Sequence, residues 1–265
     1  MSQGKKSPKP QTLRAIHPNA GVEAWYRRQL DKQVREMQDS VVYWLTANYK
    51  ASGAAVAMDA SPAVFMREAM RKLARRWTRR FDEIAQKLAD RFSADAMKNT
   101  DASLSSALKD AGFTVQFKMT SQMNNALQAT ITENVGLIRS IPEKYFTEVE
   151  GMVMRSVARG RDLSYLTDEL QKRYGITRRR AATIARDQNN KATSVMQAAR
   201  QKSLGITQGI WRHSHAGKEP RPSHVKADGK VFDLDKGMLI DDKWVLPGEE
   251  INCRCTWSPV IPGIN

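Results

Sequence analysis

The chain of 265 residues is long enough to bury a hydrophobic core, either as one large domain or as two modest ones. Its 41% of hydrophobic and 27% of charged residues exclude an intrinsically disordered chain. The 43 basic and 28 acidic residues give a formal net charge of +15, and no apolar run approaches the roughly 20 residues that a membrane-spanning helix needs. We therefore expect a basic globular protein that has no membrane partner.

The excess of basic residues lies entirely before residue 205. Residues 205–265 contain eight basic and eight acidic side chains, whereas the first 204 residues contain 35 basic and 20 acidic ones. A basic region of this kind suits DNA or an acidic protein surface. An ordinary solvated basic surface is the alternative, because net charge describes non-specific association.

Helical periodicity dominates the first 204 residues. Residues 1–20 are basic at their start, contain three prolines and lack an apolar segment, so we predict a flexible arm and no secretory signal. Apolar residues at three- and four-residue steps then predict a helix from Gly21 to Ser52. Ser61-Pro62 predicts the start of a second helix, with serine as the N-cap and proline in the first turn.

The second helix carries the densest basic face of the chain. Its basic side chains are candidates for contacts with nucleic-acid phosphates, and a solvated helix surface is the alternative. The face consists of Arg71, Lys72, Arg75, Arg76, Arg79 and Arg80.

Three weaker patterns follow. Residues 94–118 predict a shorter helix that Ala111-Gly112 closes, and Phe113–Phe117 alternates as a lone strand or an extended connector does. A further helical stretch begins at Met123, and Ile141-Pro142 predicts a break in it before residue 159.

Gly175 predicts a turn between a short helix, Leu163–Tyr174, and a longer one that starts at Thr177 and ends before Gly205. An ordinary helical hairpin is one interpretation, and a DNA-reading helix-turn-helix in a regulator is another. The second helix would begin with three further candidates for nucleic-acid contacts, Arg178, Arg179 and Arg180.

After Gly205 the pattern changes to short apolar runs that are separated by turn residues, which is typical of a small antiparallel β-rich module. The sequence therefore predicts an α+β fold, in which an elongated, basic helical region precedes this module. The predicted divisions are a flexible arm at 1–20, a helical domain at 21–204 and the module at 205–265.

The module contains both cysteines and most histidines of the chain. If Cys253 and Cys255 lie on a strand, they project to one face, and with His213 and His224 they make a candidate zinc site. The one-residue spacing differs from that of common zinc knuckles, so packing of two small buried cysteines is the favoured alternative, without a cofactor. A strained bridge between such close cysteines is disfavoured, which indicates a reducing cytosol.

Two other interpretations concern the same module. Cys255, His224 and Asp228 supply a nucleophile, a base and an orienting carboxylate, as in a nuclease or transferase toxin-like enzyme. Alternatively, Arg221, His224 and Asp228 are hydrogen-bonding residues that lock turns, with Asp228-Gly229 as a turn pair. We favour the turn-locking interpretation and assign no catalytic residue.

An ordered set of residues in the last hundred positions carries a resemblance to a known family. The set consists of Trp211, Arg221, His224, Asp228, Gly229, Asn252, Cys253, Arg254 and Cys255. In this order the residues resemble the phage Mu F-like head morphogenesis family. Many relatives place a histidine just before the final run of this set, where this chain has Glu250-Ile251, so a metal held through that histidine would need another ligand here.

The resemblance implies a minor head protein of a tailed bacteriophage that acts in capsid assembly at or near the portal vertex. It implies a place in the virion, after assembly in the host cytoplasm. The implied partners are the portal protein, the major capsid or scaffold protein and packaged DNA, and no enzymatic activity is implied.

Overall fold

The computed structural model describes residues 11–55, 61–159, 162–215 and 219–262. Helices dominate the first three quarters of the chain, and short antiparallel strands follow, so the predicted α+β fold is confirmed. No helix in these ranges combines the length and the apolar character that crossing a bilayer requires. The helices are α1 (Ala20–Ala55), α2 (Pro62–Asp110), α3 (Ser121–Ala158), α4 (Leu163–Ser203) and α5 (Pro222–Ala227).

Two small antiparallel sheets follow α4. Their strands are β1 (Gln208–Arg212), β2 (Val231–Asp233), β3 (Met238–Ile240), β4 (Lys243–Val245) and β5 (Thr256–Val260). One sheet has the order β2-β1-β5, and its central strand β1 pairs Trp211 with Trp257 of β5. The other sheet is the hairpin of β3 and β4.

Two predicted helix breaks are wrong. Pro142 lies inside α3, because its neighbours Ile138, Ile141 and Tyr145 are all buried and this packing outweighs the backbone hydrogen bond that proline loses. Gly175 lies inside α4, where glycine costs only about 1 kcal/mol relative to alanine.

Because α4 is continuous through Gly175, both interpretations of the predicted turn, the helix-turn-helix and the helical hairpin, are wrong. Thr177 is not an N-cap, since its hydroxyl donates backwards to the carbonyl oxygen of Arg173 at 3.0 Å. Similarly, α2 continues through residues 94–110 instead of ending before a separate helix. Residues 113–117 form a connector without a strand, which is one of the two predicted alternatives.

The chain divides into two compact units. The sheet unit comprises the described residues of 1–23, 93–130 and 186–265, and the helical unit comprises 24–92 and 131–185. Within the sheet unit, residues 206–261 share one hydrophobic core with Leu104 and Leu108 of α2 and Ala198 of α4. The strands therefore pack on helical segments that precede residue 205 in the sequence. The division into a helical domain and a β-rich module at residue 204 stays a prediction.

The helical unit buries aromatic side chains whose polar groups have hydrogen-bond partners. The Tyr26 hydroxyl donates to Asn134 Oδ1 at 2.9 Å, and the Tyr145 hydroxyl donates to Gln38 Oε1 at 2.6 Å. The Tyr26 ring also stacks on Phe92, with ring centroids 4.5 Å apart. Burying a hydroxyl without a hydrogen-bond partner costs free energy, and these two hydrogen bonds avoid that cost.

The first described residues extend the sheet instead of forming a flexible arm. The Leu13 amide donates to the carbonyl oxygen of Pro259, and the Ile261 amide donates to that of Gln11, both at 2.9 Å. The Leu13 side chain and that of Ile16 are buried in the core of the sheet unit. The prediction of an arm is therefore wrong for residues 11–16, and residues 1–10 lie outside the described residues.

Candidate functional site

Three side chains with potential metal-ligand atoms converge in the sheet unit. His224 Nδ1 lies 3.5 Å from Cys253 Sγ and 3.7 Å from Cys255 Sγ. All three residues are buried, and their ligand atoms lie within 4.8 Å of one another. We call His224, Cys253 and Cys255 the buried triad.

The short helix α5 supplies the histidine of the buried triad. Pro222 occupies its first turn, where proline fits without losing a helical hydrogen bond. His224 then faces inward, and its ring meets the buried Trp211 ring edge-on, with centroids 5.5 Å apart. The strand β1, which carries Trp211, therefore forms one wall of the site.

The cysteines lie in the loop before β5 and not on a strand, so their convergence has a different cause from the predicted alternation. Asn252, with a φ of 61°, and Gly248, with a φ of 86°, turn the loop back on itself. The Gly248 amide donates to Cys253 Sγ at 3.3 Å. Asn190 of α4 donates to the carbonyl oxygen of Cys253 at 2.8 Å, and Ser194 of α4 donates to that of Pro247.

Glu250 holds the other side of the His224 ring, and the sequence reasoning missed this role. Its Oε2 atom lies 2.9 Å from His224 Nε2 and accepts a hydrogen bond of 2.6 Å from Arg221 Nη1. Arg221 also donates to the carbonyl oxygen of Ile251 at 2.7 Å. The resemblance singles out this position, because Glu250-Ile251 stands where many relatives have a histidine, but no local pattern marks Glu250 as the partner of His224.

The two thiols of the buried triad shift each other's pKa in opposite directions. A hydrogen bond from the Cys255 thiol stabilises the Cys253 thiolate and lowers the pKa of Cys253 to about 6. The same hydrogen bond, together with burial, raises the pKa of Cys255. Cys253 is therefore the more readily deprotonated of the two thiols.

His213 and Asp228 lie outside the buried triad. Asp228 Oδ1 accepts a hydrogen bond of 2.8 Å from the His213 amide, and the Gly229 amide donates to the Trp211 carbonyl oxygen at 2.9 Å. In the described part of the chain, no hydrogen bond or ion pair joins Asp228 to the His224 ring. The enzyme alternative thus keeps its base and nucleophile, His224 and Cys255, but lacks the orienting contact from Asp228.

A cleft of about 310 Å³ opens beside the buried triad. Its lining includes His213, whose pKa is lowered by burial and by the neighbouring His215. Arg186 also lines the cleft and donates to Asn252 Oδ1 at 2.6 Å. The triad is therefore enclosed by packing on one side and next to a polar opening on the other.

The predicted nucleic-acid residues lie in the helical unit. All six side chains from Arg71 to Arg80 are exposed, and none forms an ion pair with another described residue. In contrast, Arg178 pairs with Asp31 through hydrogen bonds of 2.6 and 3.1 Å, and Arg180 donates to Ser140 Oγ at 2.7 Å. The α2 face therefore remains the stronger candidate for an external partner.

Replacing Gly248 with alanine is expected to destabilise the sheet unit. Its φ is positive, and an added Cβ would lie 2.7 Å from Ser194 Oγ and 3.0 Å from the Cys255 carbonyl oxygen. The control Gly229→Ala also has a positive φ, of 77°, but meets nothing within 4 Å. We expect Gly248→Ala to cost about 1–3 kcal/mol more than the control in denaturant unfolding, and equal costs would contradict the close contact.

The residues of this site lie in a part of the chain that matches a known protein family. Residues 147–258 match the family described as Phage Mu protein F like protein, which confirms the predicted resemblance for that part of the chain. An uncharacterized protein of Haemophilus influenzae is 28% identical over 247 residues, which is 90% of this chain. The chain matches 53% of that relative's length, about half. No solved structure matches the chain significantly.

Proposed function

From the match of residues 147–258 to the Phage Mu protein F like family, we propose that the chain is a minor head protein of a tailed bacteriophage. It acts in capsid assembly at or near the portal vertex, and it resides in the virion. The family match carries this proposal, since it spans the end of α3, all of α4 and the strands around the buried triad.

The charge distribution supports two kinds of partner. The first 204 residues carry the entire formal charge of +15, and the six basic side chains of the α2 face are exposed. Such a surface attracts packaged DNA or an acidic surface of the portal, major capsid or scaffold protein. The residues after 204 have balanced charges, so this attraction belongs to the helical segments.

The role in head assembly is tested in the phage or prophage that encodes the chain. Purified particles are expected to contain the chain in few copies, and co-expression with the portal protein from the same genome is expected to yield a complex. Deleting the gene is expected to lower the yield of DNA-filled heads. Heads that assemble and package DNA at the wild-type level without the chain contradict the proposal.

Contact with DNA is a separate part of the proposal and has its own test. Double-stranded DNA is expected to bind the full chain with an affinity that falls as salt rises. The triple variant Arg71→Gln, Arg75→Gln, Arg79→Gln removes one row of the α2 face at four-residue spacing. If each arginine binds one phosphate, the slope of log K against log salt falls in magnitude by about 0.9 for each of these arginines that is replaced.

A control variant that loses the same number of positive charges tests whether DNA binding depends on the α2 face or only on net charge. The variant Lys226→Gln, Lys230→Gln, Lys243→Gln removes three exposed lysines from the sheet unit, whose last residues have balanced charges. This control is expected to keep most of the parent's salt slope. Equal reductions in the two triple variants would assign DNA binding to net charge alone and would overturn the role of the α2 face.

A further inference from the structure

We propose that His224, Cys253 and Cys255 bind one zinc ion, with Glu250 as the residue that orients the histidine ligand. The inference rests on the geometry of the sheet unit and does not depend on a role in phage heads. Two thiolates and one imidazole are ligands that Zn²⁺ prefers, and one ion of this charge balances two thiolates.

The distances within the buried triad fit a tetrahedral zinc ion. Zn–S bonds of about 2.3 Å and Zn–N bonds of about 2.0–2.1 Å place each sulfur about 3.6 Å from the nitrogen at the tetrahedral angle. The observed distances from His224 Nδ1 are 3.5 Å to Cys253 Sγ and 3.7 Å to Cys255 Sγ. A single metal ion between the three atoms would contact all of them.

The surroundings fix the ligand form of the histidine. Glu250 Oε2 lies 2.9 Å from His224 Nε2, and a carboxylate oxygen there accepts a hydrogen bond from an Nε2–H group. In the neutral imidazole this tautomer has its lone pair on Nδ1, the nitrogen that faces both sulfurs. Arg221 binds the same carboxylate oxygen at 2.6 Å and holds it in place. A carboxylate behind a histidine in this way is the usual outer partner of a zinc ligand.

The cysteine loop is held in position independently of any ion. The Gly248 amide donates to Cys253 Sγ, which stabilises a thiolate there, and the Asn190 side chain binds the Cys253 carbonyl oxygen. Zinc would then join this loop to α5, a helix of only six residues that is too short to be stable through its own hydrogen bonds. We therefore expect the ion to stabilise the C-terminal part of the sheet unit.

Three protein ligands leave the fourth position of a tetrahedral ion on the side of the cleft. His213 lines that cleft but is not part of the buried triad, and its Nδ1 atom lies 3.3 Å from His215 Nδ1. Water is the expected fourth ligand, since the cleft is polar and open. His213→Asn is therefore a suitable control for loss of a nearby histidine that is not a ligand.

The test uses the full chain. Elemental analysis after purification without chelators is expected to give one zinc per chain, and chelator-treated protein is expected to bind added Zn²⁺ with one-to-one stoichiometry. Cobalt in place of zinc is expected to give the intense thiolate-to-metal absorption of a tetrahedral site. This measurement on the parent protein does not depend on whether any variant folds.

The variants assign the ligands. Cys253→Ser, Cys255→Ser and His224→Asn are each expected to abolish stoichiometric binding, whereas His213→Asn is expected to bind as the parent does. Glu250→Gln is expected to lower zinc affinity by about 10- to 100-fold, as loss of an outer partner does.

The proposal fails in any of three ways. Chelator-treated protein with no cobalt–thiolate absorption overturns it, and so does zinc binding that His224→Asn leaves unchanged. Recovery of Cys253 and Cys255 joined to each other as a disulfide in freshly purified protein also overturns it. A metal-free result would not affect the proposed role in head assembly, which the particle experiments test separately.

Discussion

Trp257→Ala is expected to lower the free energy of unfolding by about 3–5 kcal/mol, the range for removing a fully buried tryptophan. The Trp257 side chain is 0% exposed, and its ring packs edge-on against Phe232 with centroids 5.9 Å apart. Its indole nitrogen donates to Gln201 Oε1 of α4 at 2.8 Å. The substitution would remove this hydrogen bond and leave a cavity where β5 meets α4.

Gly209 of β1 packs against the same Trp257 ring. A Cβ atom at Gly209 would lie 2.5 Å from Trp257 Cδ1, so the ring lies directly against the backbone of β1. Because glycine has no side chain that could move into the space left by the ring, this wall of the cavity would stay open. The cost of Trp257→Ala is therefore expected at the upper part of its range.

Trp244→Ala is the matched control. Trp244 also lies on a strand of the sheet unit, but its side chain is 60% exposed. We expect its replacement to change stability by no more than about 0.5 kcal/mol. Denaturant unfolding followed by circular dichroism measures both variants without relying on tryptophan emission, and similar effects of the two substitutions would contradict the assigned core.

The helices show how far periodicity alone predicts this fold. The apolar stripe of α1 and the Ser61-Pro62 start of α2 were predictable because each depends on residues close in sequence. Gly205, with a φ of 76°, likewise ends α4 where predicted. The continuity of α3 through Pro142 was not predictable, because it depends on burial among residues distant in sequence.

The site shows a second limit. The sequence identified the histidine and the two cysteines of the buried triad as candidate ligands, and it predicted that they lie in a β-rich module. It did not predict their actual arrangement, since Cys253 and Cys255 converge through a loop held by α4, a segment more than fifty residues away. Glu250 was missed for a related reason: one acidic residue among several loop carboxylates has no local pattern that marks it as the partner of His224.

The N-terminal segment shows the same limit at the other end of the chain. Thr12 forms a bridge with Val260, a pairing across almost the whole sequence. Proline content and missing periodicity predicted an arm because no local signal reveals a partner so distant. Long-range pairing of this kind is the part of a β structure that single-sequence patterns convey least.

Asp101→Ala is expected to cost about 3–5 kcal/mol, because it leaves a buried guanidinium without its ionic partner. The Arg200 side chain is 4% exposed, and that of Asp101 is 23% exposed. Two parallel hydrogen bonds of 2.7 Å join them. The guanidinium also lies 5.0 Å from the Phe117 ring centroid and donates to the Lys118 carbonyl oxygen, so turning it to solvent would break both interactions.

Asp82→Ala is the control that shows how much of the cost of Asp101→Ala comes from the burial of its ion pair. Asp82 pairs with Arg139 at 2.9 Å, but both side chains are about half exposed, at 45% and 51%. Such a pair contributes about 0–1 kcal/mol. We therefore expect Asp101→Ala to cost several times as much as Asp82→Ala in the same unfolding measurement, and comparable costs would contradict the buried character of the Arg200 pair.

A double substitution separates the value of the Arg200 pair from the cost of breaking it. Asp101→Leu with Arg200→Met removes both charges and keeps apolar volume, so it is expected to recover most of the stability that Asp101→Ala loses. If the double variant were as unstable as Asp101→Ala, the pair itself would be strongly stabilising. Recovery would instead indicate that the pair mainly specifies how α2, the connector at Lys118 and α4 meet in the sheet unit, with apolar packing around Trp257 supplying the stability.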